Sequence, residues 1–246
     1  LDGTPVVDYA YLGGEWKTLL IGGLAAGGPG YYALDITDPT QPKALWEFKQ
    51  RSSSCAATLA AAVGNTDDCD LGYSYGNPVV TKLADGSWVV LVTSGYNNAT
   101  PGDGGGYLYV LDPATGAILR KIGTGVGSTA AISGVCTTAP CPSGLARIAA
   151  WVDSPDTNNT TTRVYGGDLF GNLWRFDVND TIGTAGYEAT RLAILTGPAG
   201  TLQPITGRPE LGESNGVALV LVGTGRFLGD SDRSDATQQS SPTNNK

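Results

Sequence analysis

Arg163-Val-Tyr-Gly-Gly-Asp-Leu-Phe-Gly-Asn-Leu-Trp-Arg-Phe-Asp177 is the stretch whose reading decides the fold. At period two, Arg163-Val164-Tyr165 reads as a short strand and Leu173 to Asp177 as a second one. The intervening Gly166 to Asn172 is rich in residues that tolerate positive φ, as a tight reversal requires. The unit is a β-hairpin with a large aromatic, Trp174, in its return strand. Weaker versions occur at Gly106-Tyr-Leu-Tyr-Val-Leu-Asp-Pro-Ala-Thr-Gly116 and at Gly30-Tyr-Tyr-Ala-Leu-Asp-Ile-Thr-Asp-Pro39. A hairpin whose strand ends in Asp therefore recurs along the chain, as expected of a repeat architecture.

Composition narrows the class. Thirty-six Gly and fourteen Pro in 246 residues leave long helices almost nowhere to form. No apolar run approaches the ~20 residues of a membrane-spanning helix. The chain lacks Met altogether, which reads as an excerpt of a longer polypeptide. Its formal charge is −8, and the fifteen Lys and Arg are scattered rather than clustered. Nucleic acid, whose binding needs grouped cations, is not an expected partner. The four Cys form two close pairs, Cys55 with Cys69 and Cys136 with Cys141. Zinc is the competing reading, but it favours CxxC-like pairs, often with His, and no His is present. Two local disulfides and an oxidising compartment, periplasmic or extracellular, are the expectation.

Read in order, the chain yields about thirteen short strands and no convincing helix. Gly22 to Gly30 is glycine-rich, yet no GK[ST] and no following helix support a phosphate cradle, so it reads as a connecting loop. Residues 49–70 form a polar insertion, and the acidic stretch Asp67-Asp68-Cys69-Asp70 within it reads as a solvated loop. Residues 153–162 also read as a polar loop. Thirteen strands at four per blade make roughly three blades. A closed propeller needs at least four, because otherwise both end sheets leave open edges. A sandwich does not explain the Asp-terminated hairpins. The expected fold is all-β, a partial β-propeller over residues 1–235, with 236–246 as a disordered or truncated tail.

With the hairpins placed, the sequence resembles the C-terminal propeller domain of the PilY/PilC family of type IV pilus proteins. The segments that carry the resemblance are Gly30 to Pro39, Leu45-Trp-Glu-Phe48, Leu71-Gly-Tyr-Ser-Tyr-Gly-Asn-Pro78, Gly95-Tyr-Asn97 and Leu108-Tyr-Val-Leu-Asp112. Gly167 to Asp177 and Gly223-Thr-Gly-Arg-Phe-Leu-Gly229 complete the series in family order. The resemblance implies that these blades belong to a larger, seven-bladed modified propeller. It also implies an exported protein at the pilus tip or outer cell surface that supports assembly, opposes retraction, and serves adhesion and twitching motility. Its implied partners are pilin or minor pilins and a host or abiotic surface.

The same resemblance implies a calcium loop of EF-hand-like spacing before the central hairpin. The mapped positions are Asp153, Asp156, Asn158, Thr160 through its carbonyl, and Thr162. The segment is one residue longer than the pattern, lacks the turn Gly, and has Thr162 where a closing Asp is expected. Two carboxylates in place of three or four weaken the pull on a divalent ion, so weak calcium binding or none is expected. Catalysis has little foundation, since without His general-base duty falls on carboxylates alone. The alternative is a secreted propeller enzyme, carbohydrate-active or of quinoprotein dehydrogenase type. No quinone is expected, because its pocket needs a complete ring. The five Trp fall in or beside strands and read as blade packing.

Overall fold

The computed structural model describes residues 3–53, 55, 62–154, 157–182, 186–228 and 232. The tail 236–246 lies outside them. The fold is all-β, with a short 3-10 turn at Ala25–Gly27. Fifteen strands are present among them. The first blade is the antiparallel meander β1 (Val6–Leu12), β2 (Glu15–Gly23), β3 (Gly30–Asp35) and β4 (Lys43–Gln50). A two-residue strand, β5 (Asp67–Asp68), adds to β4 in parallel. The second blade is β6 (Val79–Lys82), β7 (Trp88–Thr93), β8 (Tyr107–Leu111) and β9 (Ile118–Gly123). The third is β10 (Ile148–Ser154), β11 (Asn158–Gly167), β12 (Asn172–Phe176) and β13 (Ala189–Ile194). A separate hairpin, β14 (Glu210–Ser214) with β15 (Val217–Leu221), follows.

The strand pattern of the second blade explains how the three are arranged. Val89 to Thr93 is buried throughout, so β7 faces apolar surroundings on both sides. Val90, Val92, Tyr109 and Leu111 point into a core shared with Ala33, Tyr31, Trp46 and Phe48 of the first blade. The alternate residues Val89, Leu91, Leu108 and Val110 enter a second core with Ile148, Val164, Trp174 and Phe176 of the third. Side chains on a strand alternate between faces, and here both faces are covered by neighbouring sheets. This face-to-face stacking of consecutive meanders is the propeller arrangement anticipated from the hairpins. Each fully buried aliphatic side chain contributes about 1.5–3 kcal/mol.

Glycine permits the blades to close on one another where their second strands end. A Cβ at Gly23, ending β2, would collide with the carbonyl of Ser74; one at Gly95, just past β7, with that of Tyr73. At Gly167, ending β11, it would strike Ile205. The tight approach is held by cross-blade hydrogen bonds at that end: Leu24 N to Ser74 Oγ at 2.9 Å, Gly95 N to the Leu145 carbonyl at 2.8 Å, and Ile205 N to the Asp168 carbonyl at 2.9 Å.

One expectation about the strands needs correction. The described residues of 153–162 are largely strand rather than loop: Asp153 and Ser154 end β10, Asn158 to Thr162 open β11, and Ser154 pairs with Asn158. Polar side chains there misled a reading based on apolar alternation, because Asn158 to Thr160 lie in the exposed half of a long strand. Leu202 and Ile205 form isolated bridges, to Thr196 and Gly225 respectively. Glu210–Ser214 is a strand although its two Glu and its Gly give no β signal.

Candidate functional site

The recurrent Asp closing the third strand of each blade has a common geometry. Asp35 Oδ1 accepts the backbone N–H of Thr37 at 2.9 Å. Asp112 Oδ1 accepts those of Ala114 and Thr115 at 2.8 and 2.9 Å. Asp177 accepts from Asn179, Thr181 and Ile182 at 2.8–3.0 Å. The carboxylate thus satisfies the N–H groups of the turn that follows, which is why Asp is needed there. Two of these turns also reach the preceding blade. The Pro113 carbonyl accepts the Trp46 indole N–H at 3.0 Å, and Asn179 Oδ1 accepts Ala84 N at 2.8 Å. The repeated Asp is a structural residue that orders the turn, and in two of the three blades that turn is fastened to the blade before it.

Asp168, in the central hairpin, is wholly buried. Its carboxylate accepts from Phe170 N (2.9 Å), Asn172 N (2.9 Å), Asn172 Nδ2 (2.8 Å) and Trp174 Nε1 (2.9 Å). Burial pushes its carboxyl above the ordinary range, and these donors pull against that shift. Gly171, at φ 76°, completes the turn.

The mapped calcium positions sit on the β10–β11 hairpin, except Asp156, which lies outside the described residues. Asp153 Oδ1 accepts the Trp151 indole N–H at 2.6 Å and stands 4.0 Å from Arg163. Asn158 Oδ1 accepts the Thr160 hydroxyl at 2.7 Å. Thr160 is the register partner of Lys82 on β6, and the Thr162 hydroxyl is buried without a hydrogen-bond partner. Among these four, Asp153 is the single carboxylate, and its oxygen already serves a neighbour. The described members fit a hard divalent cation poorly.

Both Cys pairs are disulfides, Cys55–Cys69 and Cys136–Cys141. The first corrects the reading of the acidic stretch. On either side of Cys69, Asp68 and Asp70 turn inward to a buried Lys121 on β9, whose ammonium is 2.8 Å from Asp68 and 2.6 Å from Asp70. Lys121 also lies 4.2 Å over the Tyr107 ring. Tyr109 donates to Asp68 at 3.0 Å, and Tyr107 donates to Asp103. Burial raises the Asp70 carboxyl, against the hydrogen bond and charge of Lys121. The insertion is thus clamped to the second blade. A lone Lys in a strand gave no signal of it, since its partners lie some fifty residues away. Of the five Trp, Trp46 and Trp174 are buried in the blade cores, whereas Trp16 is 58% exposed with its ring edge-on to Trp88.

Comparison with known proteins places this geometry. The PilY1 beta-propeller domain family matches residues 1–241. Among curated relatives, the type IV pilus biogenesis factor PilY1 of Pseudomonas aeruginosa is 33% identical over 97% of this chain and 20% of its own length. A PilY1 homologue of Xylella fastidiosa is 32% identical over 94% of this chain and 15% of its own. The chain therefore spans about a fifth or less of these relatives. The crystal structure of the P. aeruginosa PilY1 C-terminal domain superposes with a TM-score of 0.72 at 32% identity, covering 94% of this chain and 45% of that one.

Proposed function

The chain belongs to the PilY1 β-propeller family, and from this premise we propose that it is part of a non-enzymatic, type IV pilus-associated surface protein. It would act at the pilus tip or outer cell surface, supporting assembly, opposing retraction, and serving adhesion and twitching motility. The observation that carries the reading is that relatives named as pilus biogenesis factors match nearly the whole chain. The fold suits the role: blades stiffened by two cores and two disulfides hold their connecting loops as rigid contact surfaces. Pilin or minor pilins are the expected partners on one side and a host or abiotic surface on the other. The disulfides agree with export through the periplasm. We further propose that the 153–162 hairpin holds calcium weakly or not at all.

Deleting residues 1–235 from the intact protein in its own bacterium tests this reading. Loss of surface pili, with recovery when retraction is blocked, is the expected result. Normal piliation and adhesion would overturn it, as would turnover of a glycan substrate by the purified intact protein.

A further inference from the structure

At the end where the glycines bring the blades together, an open cleft of about 830 Å³ runs across all three, lined by Tyr73, Tyr75, Tyr96, Asn97, Arg147 and Leu169 among others. Its volume is in the range that takes a ligand of about two or three sugar rings. The backbone beneath it is fixed. Tyr73 and Tyr96 exchange both main-chain hydrogen bonds, at 2.7 and 3.1 Å. Gly72 N donates to the Ser94 carbonyl at 2.7 Å, and Thr93 Oγ1 donates to the Ala146 carbonyl at 2.6 Å.

On that base the side chains divide into a buried wall and two partly exposed rings. Tyr96 is 7% exposed and packs its ring 5.8 Å from Tyr75, while Tyr73 and Tyr75 remain 39% and 38% exposed. Asn97, at φ 57°, holds a left-handed conformation at the rim. Strain of this kind is retained where surrounding structure enforces it. Of the two cleft arginines, Arg226 is committed to Asp232 at 2.8 Å. Arg147 is exposed and has no carboxylate partner among the described residues. It is an uncommitted cation beside tyrosine rings in a protein of net charge −8.

We infer that this cleft binds an acidic saccharide, with Arg147 taking the carboxylate and Tyr73 and Tyr75 stacking on the pyranose faces. A guanidinium pairs with carboxylate through two parallel hydrogen bonds, which an ammonium cannot reproduce. Tyrosine supplies an apolar face together with a polar tip, matching a sugar ring that has C–H groups on one side and hydroxyls at its edge. The Asn97 amide adds a donor and an acceptor for those hydroxyls. A neutral sugar would leave Arg147 unused. A polyphosphate would need several grouped cations where the cleft offers one uncommitted. An acidic peptide would engage the arginine without needing two partly exposed rings. The site is pre-formed by blade packing, so little ordering accompanies binding. The inference is independent of pilus association, and its failure would leave that reading standing.

Titration calorimetry on the intact protein with trigalacturonic acid and with disialic acid tests the site. Binding of at least one probe is expected, weakened about tenfold by R147A, weakened also by R147K, and lost in Y75A. The fully methyl-esterified trigalacturonate should bind about tenfold more weakly than the acid. Arg147 and Tyr75 are both exposed, so an unchanged circular dichroism spectrum separates lost contact from lost fold. Three results would overturn the inference: no binding of either probe, equal affinity in wild type and R147A, or pentaglutamate binding as tightly as the sugars.

Discussion

Asp168 shows how much a single side chain holds in this molecule. Replacing it with Ala strands Phe170 N, Asn172 N, Asn172 Nδ2 and Trp174 Nε1 in a dry interior. Buried donors left without acceptors cost about 1–3 kcal/mol each, part of which relaxation recovers. D168A is expected to lose about 3 kcal/mol or more in a urea denaturation of the intact protein; an unchanged midpoint would refute the assignment. Tyr31 makes a pH prediction. Its phenol is buried and donates to the Thr93 carbonyl, and burial pushes it up to about 12. In the unfolded chain the same group ionises near ~10. The folded state therefore keeps its proton longer, and the stabilisation is complete below pH ~10 and lost as pH rises through about 12. Denaturation midpoints should fall over that window, and Y31F should fall less steeply.

Between residue and blade, the disulfide-bound insertion is the informative element. Asp68 and Asp70 are held by Lys121, so K121M leaves two buried carboxylates without a cation. Breaking a buried pair in this way costs about 3–5 kcal/mol, more than either partner's exposure would suggest. Reducing Cys55–Cys69 should cost about 3 kcal/mol and Cys136–Cys141 about 2 kcal/mol in the chain-entropy model, measured as separate losses in C69A and C141A. How far this was legible in advance depends on range. The Asp-terminated hairpins were readable because a turn's needs are met by residues two to five positions away, as at Asp112 and Asp177. Cys pairing was readable for the same reason, the partners being fourteen and five residues apart. The Lys121 clamp and the cleft tyrosines were not, since they depend on contacts between blades. The β10–β11 extension was missed because its exposed half is polar, and a period-two reading sees only buried faces.

For the whole molecule, the exposed apolar residues are as informative as the buried ones. Val217, Leu219 and Leu221 on β15 are 40–62% exposed, and Val7, Tyr9 and Trp16 on the first blade are similarly open. Faces of this kind are covered by further blades in a complete propeller, and the matching solved domain is more than twice the length of this chain. L221D in the intact protein should therefore lower stability by about 1.5–3 kcal/mol rather than the near-zero change of a surface site. The central claim is that the sheet from Val79 to Gly123 is packed on both faces by its neighbours. Amide hydrogen exchange on the intact protein tests it most directly, because strands with two covered faces open only with the whole domain. The amides of Val89–Thr93 and Leu108–Leu111 are predicted to exchange with the free energy of global unfolding. Exchange of those amides through local opening, at rates typical of exposed loops, would contradict the account.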